Sequence, residues 1–220
     1  MVVGHGRGQR DGEPGAESVM SIRVVIFDLG GVLVKVEPEP IIRRLIQETG
    51  RPRQEVEQVI CDEALHEAFE LGRMSARRFF QEIQGKLGLG WSYEEFVAAW
   101  NGMLAENTRV TDLLERLQPH YTLVVLTNTN ILHDEHIRRH WPVFQRVQHW
   151  VASYQVGCRK PEAEIYQEAL RRAGVQPEAA VYIDDRQTFV DAARRLGLCG
   201  IHCTDGIALE EELQMWGVHV

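Results

Sequence analysis

Residues 23–34, RVVIFDLGGVLV, decide the fold. Val24, Val25, Ile26 and Phe27 form an unbroken apolar run rich in β-branched side chains. A run of that kind, without polar alternation, is the pattern of a strand covered on both faces, as in parallel sheets. Open α/β sheets bind their ligands outside the carboxyl ends of the strands, and Asp28 stands at that end. Gly30 and Gly31 follow, where the lack of a side chain lets backbone come close to a phosphate or a metal ion. Asp28 is therefore the expected centre of the chain's chemistry.

Further strands are expected at 121–126 (YTLVVL), 150–152, 180–183 and 199–202, separated by segments of helical period at 110–117, 131–140, 162–173 and 189–196. Pro161 is expected in the first turn of the third of these helices, and Gly174 closes it. Between 36 and 104 the apolar residues recur only at helical spacing, with Ser75 as an N-cap and no strand signal. The reading is an α/β fold, a Rossmann-like parallel-sheet core built from 21–35 and 105–220. An α-helical bundle cap, 36–104, is inserted after the first strand. Residues 1–20 hold five glycines and too few apolar side chains to offset ordering entropy, so a disordered tail is expected there.

The 220 residues are 44% apolar and carry a net charge of -8, which argues against nucleic-acid or anionic-membrane partners, both of which need a basic face. No apolar run reaches the roughly 18 residues of a membrane span. Cys61, Cys158, Cys199 and Cys203 form no CxxC pair, so reduced thiols and a cytoplasmic location are expected. Histidines 136 and 140, four apart on one helix, are read as a solvated face rather than a metal site.

Three predicted strands end in chemically useful groups: Asp28, then Thr127 and Asn128, then Asp184 and Asp185; Lys160 precedes a helix start. A parallel sheet brings all of these to one edge. They offer a nucleophile, an ammonium and a hydroxyl for an anion, and carboxylates for a hard cation such as Mg²⁺. That inventory fits phosphoryl transfer through an aspartyl-phosphate.

FDLGGVL, VVLTNTN, GCRKPEAEIY and VYIDDRQTFVDAARRLGL stand in the order and spacing of four motifs, and through them residues 22–203 resemble the haloacid dehalogenase (HAD) superfamily of hydrolases with a helical cap. Within it the chain is similar to the sugar-phosphate phosphatases of the α-D-glucose-1-phosphate phosphatase group. The resemblance implies that Asp28 attacks phosphorus and that Thr127 and Lys160 hold the transferring phosphate, with the amides of Leu29 and Gly30 facing it. Asn128 lies in the same motif and is taken as phosphate-binding. Mg²⁺ would be held by Asp28, the Gly30 carbonyl, Asp184 and Asp185. The expected substrate is a small phosphorylated metabolite.

The chain departs from the pattern where most HAD phosphatases carry a second aspartate, here Gly30, and where many carry asparagine, here Phe189. General acid–base help is worth about 10²–10⁴-fold, so His133 is named as a possible replacement donor. Arg73, in a turn where related caps place substrate-contacting residues, is named as a possible substrate contact. The alternatives are a catalytically weak HAD-fold binding or regulatory protein, and a haloacid dehalogenase.

Overall fold

The computed structural model describes residues 21–204 and 206–220, so the tail expected at 1–20 lies outside the described residues. In chain order, β1 (Val24–Phe27) and β2 (Val34–Val36) lead into α1 (Glu39–Thr49), α2 (Arg53–Ile60), α3 (Glu63–Glu70), α4 (Ala76–Leu87) and α5 (Tyr93–Asn101). Next come β3 (Leu104–Glu106), α6 (Thr108–Leu117), β4 (Thr122–Thr127), α7 (Ile131–His140), β5 (His149–Ala152) and α8 (Ser153–Val156). The chain closes with α9 (Ala163–Ala173), β6 (Ala180–Asp184), α10 (Gln187–Arg195), β7 (Cys199–His202) and α11 (Leu209–Met215).

Five strands form one parallel sheet in the order β5-β4-β1-β6-β7, with β1 at its centre. Alternate residues of β1 face opposite layers: Val25 and Phe27 pack with α6 and α11, Val24 and Ile26 with α9 and α10. All four are buried, which is why the run carries no polar alternation. Phe27 lies opposite Val125 of β4 and Ile183 of β6. Asp28 and Asp184, the residues that follow Phe27 and Ile183, therefore leave the sheet side by side. Connections run from β1 toward β4 on one side and from β6 to β7 on the other, so this is the point of the sheet where a crevice opens.

Helices α1–α5 have an apolar cluster of their own, joined by Leu132 from α7. Its centre is aromatic: Phe79 stacks on Phe69 at 4.3 Å between centroids and meets Trp100 edge-on at 5.0 Å. Ser75 caps α4 through the Arg78 amide, as expected. Two expectations need correction. A short antiparallel ribbon, β2 with β3, joins the two crossings of the chain at the edges of the helical block; three-residue strands are too short to leave a period in the sequence. Pro161 lies ahead of α9, whose N-cap is Glu162, and not in its first turn. No helix among the described residues is long and apolar enough to cross a membrane.

Candidate active site

Asp28 is buried, and its Oδ1 accepts the Leu29 amide at 2.6 Å and lies 2.8 Å from Lys160 Nζ. The same ammonium lies 2.7 Å from Asp184 Oδ2. Lys160 has 1% of its surface exposed and Asp184 none. An ion pair so deep persists only with well-made partners, and both oxygens of Asp184 have them. Asp184 Oδ2 also accepts the Tyr182 hydroxyl, and Oδ1 accepts the Arg186 amide at 2.8 Å. Lys160 is held in place by a reciprocal amide clamp, its N–H donating to Asn128 Oδ1 at 2.8 Å and its carbonyl accepting Asn128 Nδ2 at 3.0 Å.

Carboxylate oxygens of Asp28, Asp184 and Asp185 lie within 4.8 Å of one another. One lysine among three carboxylates leaves an excess of negative charge. Burial pushes the Asp28 carboxyl up to about 7, with Lys160 opposing the shift and Asp184 adding to it. Asp185 is raised in the same way, by burial and then by Asp184. An all-oxygen, electron-rich donor set of this kind fits a hard divalent cation and suits Mg²⁺ better than a nitrogen- or sulfur-seeking metal. Gly31 adopts φ +88°, and a Cβ there would lie 2.2 Å from an Asp185 carboxylate oxygen, so this glycine is required. Gly30 is not constrained in that way, since a Cβ would meet only Val36 at an ordinary 3.5 Å.

A cavity of about 350 Å³ opens over Asp28, Gly30, Gly31, Lys160 and Asp185. A second, of about 750 Å³, shares Asn128, Arg159, Lys160, Arg186 and Phe189 with it and runs on beneath the helical block to Ile60, Trp100 and Met103. Asp28, Gly30, Asn128, Lys160 and Asp185 thus meet at one cleft. Thr127, at the end of β4, and Leu29, two residues beyond β1, are buried and line neither cavity. Asn128, expected to bind phosphate, has its amide committed to Lys160 and so positions the lysine.

Two expected residues are placed otherwise. Arg73 points to solvent, 3.9 Å from Glu67, and lines neither cavity; Gly72 beside it, at φ +67°, lets the turn press against the Tyr154 carbonyl. His133 does line the larger cavity, but burial lowers its pKa to about 4. The backbone of Trp100 opposes that shift, yet Nε2 completes no hydrogen bond. Asn130 Oδ1 is fixed by the amides of Leu132 and His133, which turns its Nδ2 toward His133 Nδ1 at 3.3 Å. The ring is therefore neutral near pH 7 and carries its hydrogen on Nε2. It is no imidazolium reservoir for the proton that Gly30 lacks.

Residues 22–197 match the family of haloacid dehalogenase-like hydrolases. The chain belongs to that family. This HAD hydrolase is 28% identical over 201 residues to the sesquiterpene phosphatase astK of Aspergillus oryzae, covering 88% of this chain and 96% of the relative. It is 24% identical over 199 residues to a D-ribitol-5-phosphate phosphatase of Bacteroides thetaiotaomicron, covering 87% and 97%. A HAD family enzyme of Bacteroides thetaiotaomicron, solved with magnesium and inorganic phosphate, superposes with a TM-score of 0.75 at 27% identity over 82% of this chain and 93% of that one. With such relatives the HAD hydrolase is an enzyme of the phosphoric monoester hydrolase type.

Sequence reasoning missed Tyr182 and Arg186. Tyr182 could have been found, because it lies two residues before Asp184 on a strand and so on the same face. Arg186 was visible only as a basic residue directly after the acidic pair.

Proposed function

We propose that this HAD hydrolase is a Mg²⁺-dependent phosphatase of a small phosphorylated metabolite, a sugar phosphate first, acting through phospho-Asp28. The observation that carries the reading is a buried nucleophilic carboxylate that shares Lys160 with Asp184 at the floor of a cleft. In this reading Asp28 attacks phosphorus and the ester P–O bond breaks as the acyl-phosphate forms, the leaving oxygen departing as an alkoxide that takes its proton from water. Lys160, held between the two carboxylates, keeps Asp28 aimed and offsets charge on the transferring group. Asn128 holds the lysine's backbone, and the helices of 36–104 act as the cap that excludes bulk water. Asp28, Asp185, Asp184 and the Gly30 carbonyl would hold Mg²⁺. Bound there, the ion would supply charge neutralisation for the phosphoryl oxygens. Water then attacks phosphorus and regenerates Asp28.

Gly30 supports a substrate whose leaving oxygen needs little protonation, as an anomeric hydroxyl does. The buried Asp28–Lys160–Asp184 network supports turnover over a non-catalytic binding role. The net charge of -8 supports partners other than nucleic acid or membrane, and four cysteines with no CxxC pair support a cytoplasmic location.

A second substrate reading has its own observation. The far wall of the larger cavity is apolar, with Ile60, Trp100 and Met103 all buried, which would suit an apolar ester, and one relative is a sesquiterpene phosphatase. Phosphate release from sugar 1- and 6-phosphates, assayed beside a prenyl phosphate, separates the two. Asp28→Asn should abolish release with either; full turnover by that variant would sink the mechanism.

A further inference from the structure

We infer that Arg186 is a phosphate-binding residue of this site, an inference that rests on the phosphatase reading above. A phosphate dianion brought beside three carboxylates outweighs one lysine and one divalent cation, so the site needs further positive charge. Three cations line the cavity over Asp28. Lys160 is committed to Asp28 and Asp184 at 2.8 and 2.7 Å. Arg159 is shared between Glu67 and Glu70 of the helical block at 3.7 and 3.5 Å. Arg186 has no carboxylate within ion-pair distance among the described residues. Its guanidinium lies on the Phe189 ring, 4.3 Å from the centroid, while Lys160 Nζ approaches the same ring at 5.1 Å. Its backbone is fixed by the hydrogen bond from its N–H to Asp184 Oδ1, so the side chain is anchored at the acidic pair with its donors uncommitted. A planar fork of N–H donors is suited to two phosphoryl oxygens at once. Phe189, where many relatives have asparagine, provides the surface on which the fork rests until an anion arrives.

The test is titration calorimetry of the full chain with inorganic phosphate at saturating Mg²⁺, for the wild type, Arg186→Ala, Arg186→Lys and the solvent-facing Arg73→Ala. Loss of a charge-assisted pair predicts phosphate binding weakened about 10–100-fold in Arg186→Ala, part of it recovered in Arg186→Lys, and none lost in Arg73→Ala. kcat/KM should fall by the same factor for aryl and alkyl phosphates, as expected of a contact to non-bridging oxygens. Equal phosphate binding by the wild type and Arg186→Ala, or a loss confined to poor leaving groups, would overturn the inference alone. A wild type that binds no phosphate would overturn the phosphatase reading and this inference with it.

Discussion

Lys160 lies between Asp28 and Asp184 at 2.8 and 2.7 Å with almost no exposure, while Arg53 on α2 reaches Glu39 at 2.6 Å and Glu57 at 2.8 Å in open solvent. The distances are alike and the surroundings are not. On the helical surface, water screens each charge and the pair adds little to stability. At the sheet edge every charge has been taken out of water, which costs several kcal/mol per ion in general and is recovered only by well-made partners. A fold does not need such a cluster for stability, since apolar side chains of the same volume would serve as well. Its presence where β1 and β6 end is therefore an argument for chemistry.

Removing one member of the buried cluster is the harshest way to test that contrast. Lys160→Met leaves Asp28 and Asp184 without their shared cation and should cost about 3–5 kcal/mol of unfolding free energy in urea titrations. Adding Asp28→Asn should return part of it, because one of the stranded charges is gone. Simple additivity of the two losses would contradict the charge argument.

Next in size is Gly30→Asp. A Cβ fits at Gly30, so the variant should fold. An acid restored there should raise turnover of alkyl phosphates by up to about 10²-fold while leaving p-nitrophenyl phosphate nearly unchanged. Equal effects on both would show that protonation of the leaving oxygen is not what this site lacks.

A smaller effect follows from pH. In the ion-free protein the Asp28 carboxyl is raised from 3.8 to about 7, so the folded state holds its proton more tightly than the unfolded chain. Asp28 thus lowers the stability of the ion-free protein as pH rises from about 4 to about 7. A cation must displace that proton, so Mg²⁺ affinity should fall below about pH 7, by up to tenfold per unit, and level off above it. A pH-independent affinity from 5 to 8, those limits being roughly the range where a carboxyl raised this far titrates, would contradict Asp28 as a ligand.

The smallest effect belongs to the exposed pair. Arg53→Ala should leave the thermal midpoint within error of the wild type, because both partners are solvated. A clear drop would mean that the surface charges of the helical block do more than the comparison allows.

The same contrast governs how much could be read from the sequence. Strands buried on both faces leave unbroken apolar runs, so β1, β4 and β6 and the polar groups at their ends were legible, while the partly exposed edge strands β5 and β7 showed only as short segments. The β2–β3 ribbon was not, because three residues carry no period. Asp28, Lys160, Asp184 and Asp185 were legible as strand-end and helix-start groups that a parallel sheet must bring together. The roles of side chains around them were not. His133 has the right residue type for a proton donor, but its burial against Trp100 and the amide of Asn130 hold it neutral, and the contact with Trp100, from a distant helix, cannot be inferred from spacing. The turn at Arg73 carries no sign of where the side chain points, and nothing in the spacing shows that Arg186 meets Phe189 beside the acidic pair.

The most direct measurement is acid quench of a single turnover with a phosphorylated substrate, followed by mass mapping of the peptides. A transient phosphoryl group should appear on Asp28 and be absent from Asp28→Asn. Run in H₂¹⁸O, the label should appear in the released phosphate and not in the Asp28 carboxylate. Turnover with no phosphoryl group on Asp28, or ¹⁸O in its carboxylate as an ester on carbon would leave, would contradict the account.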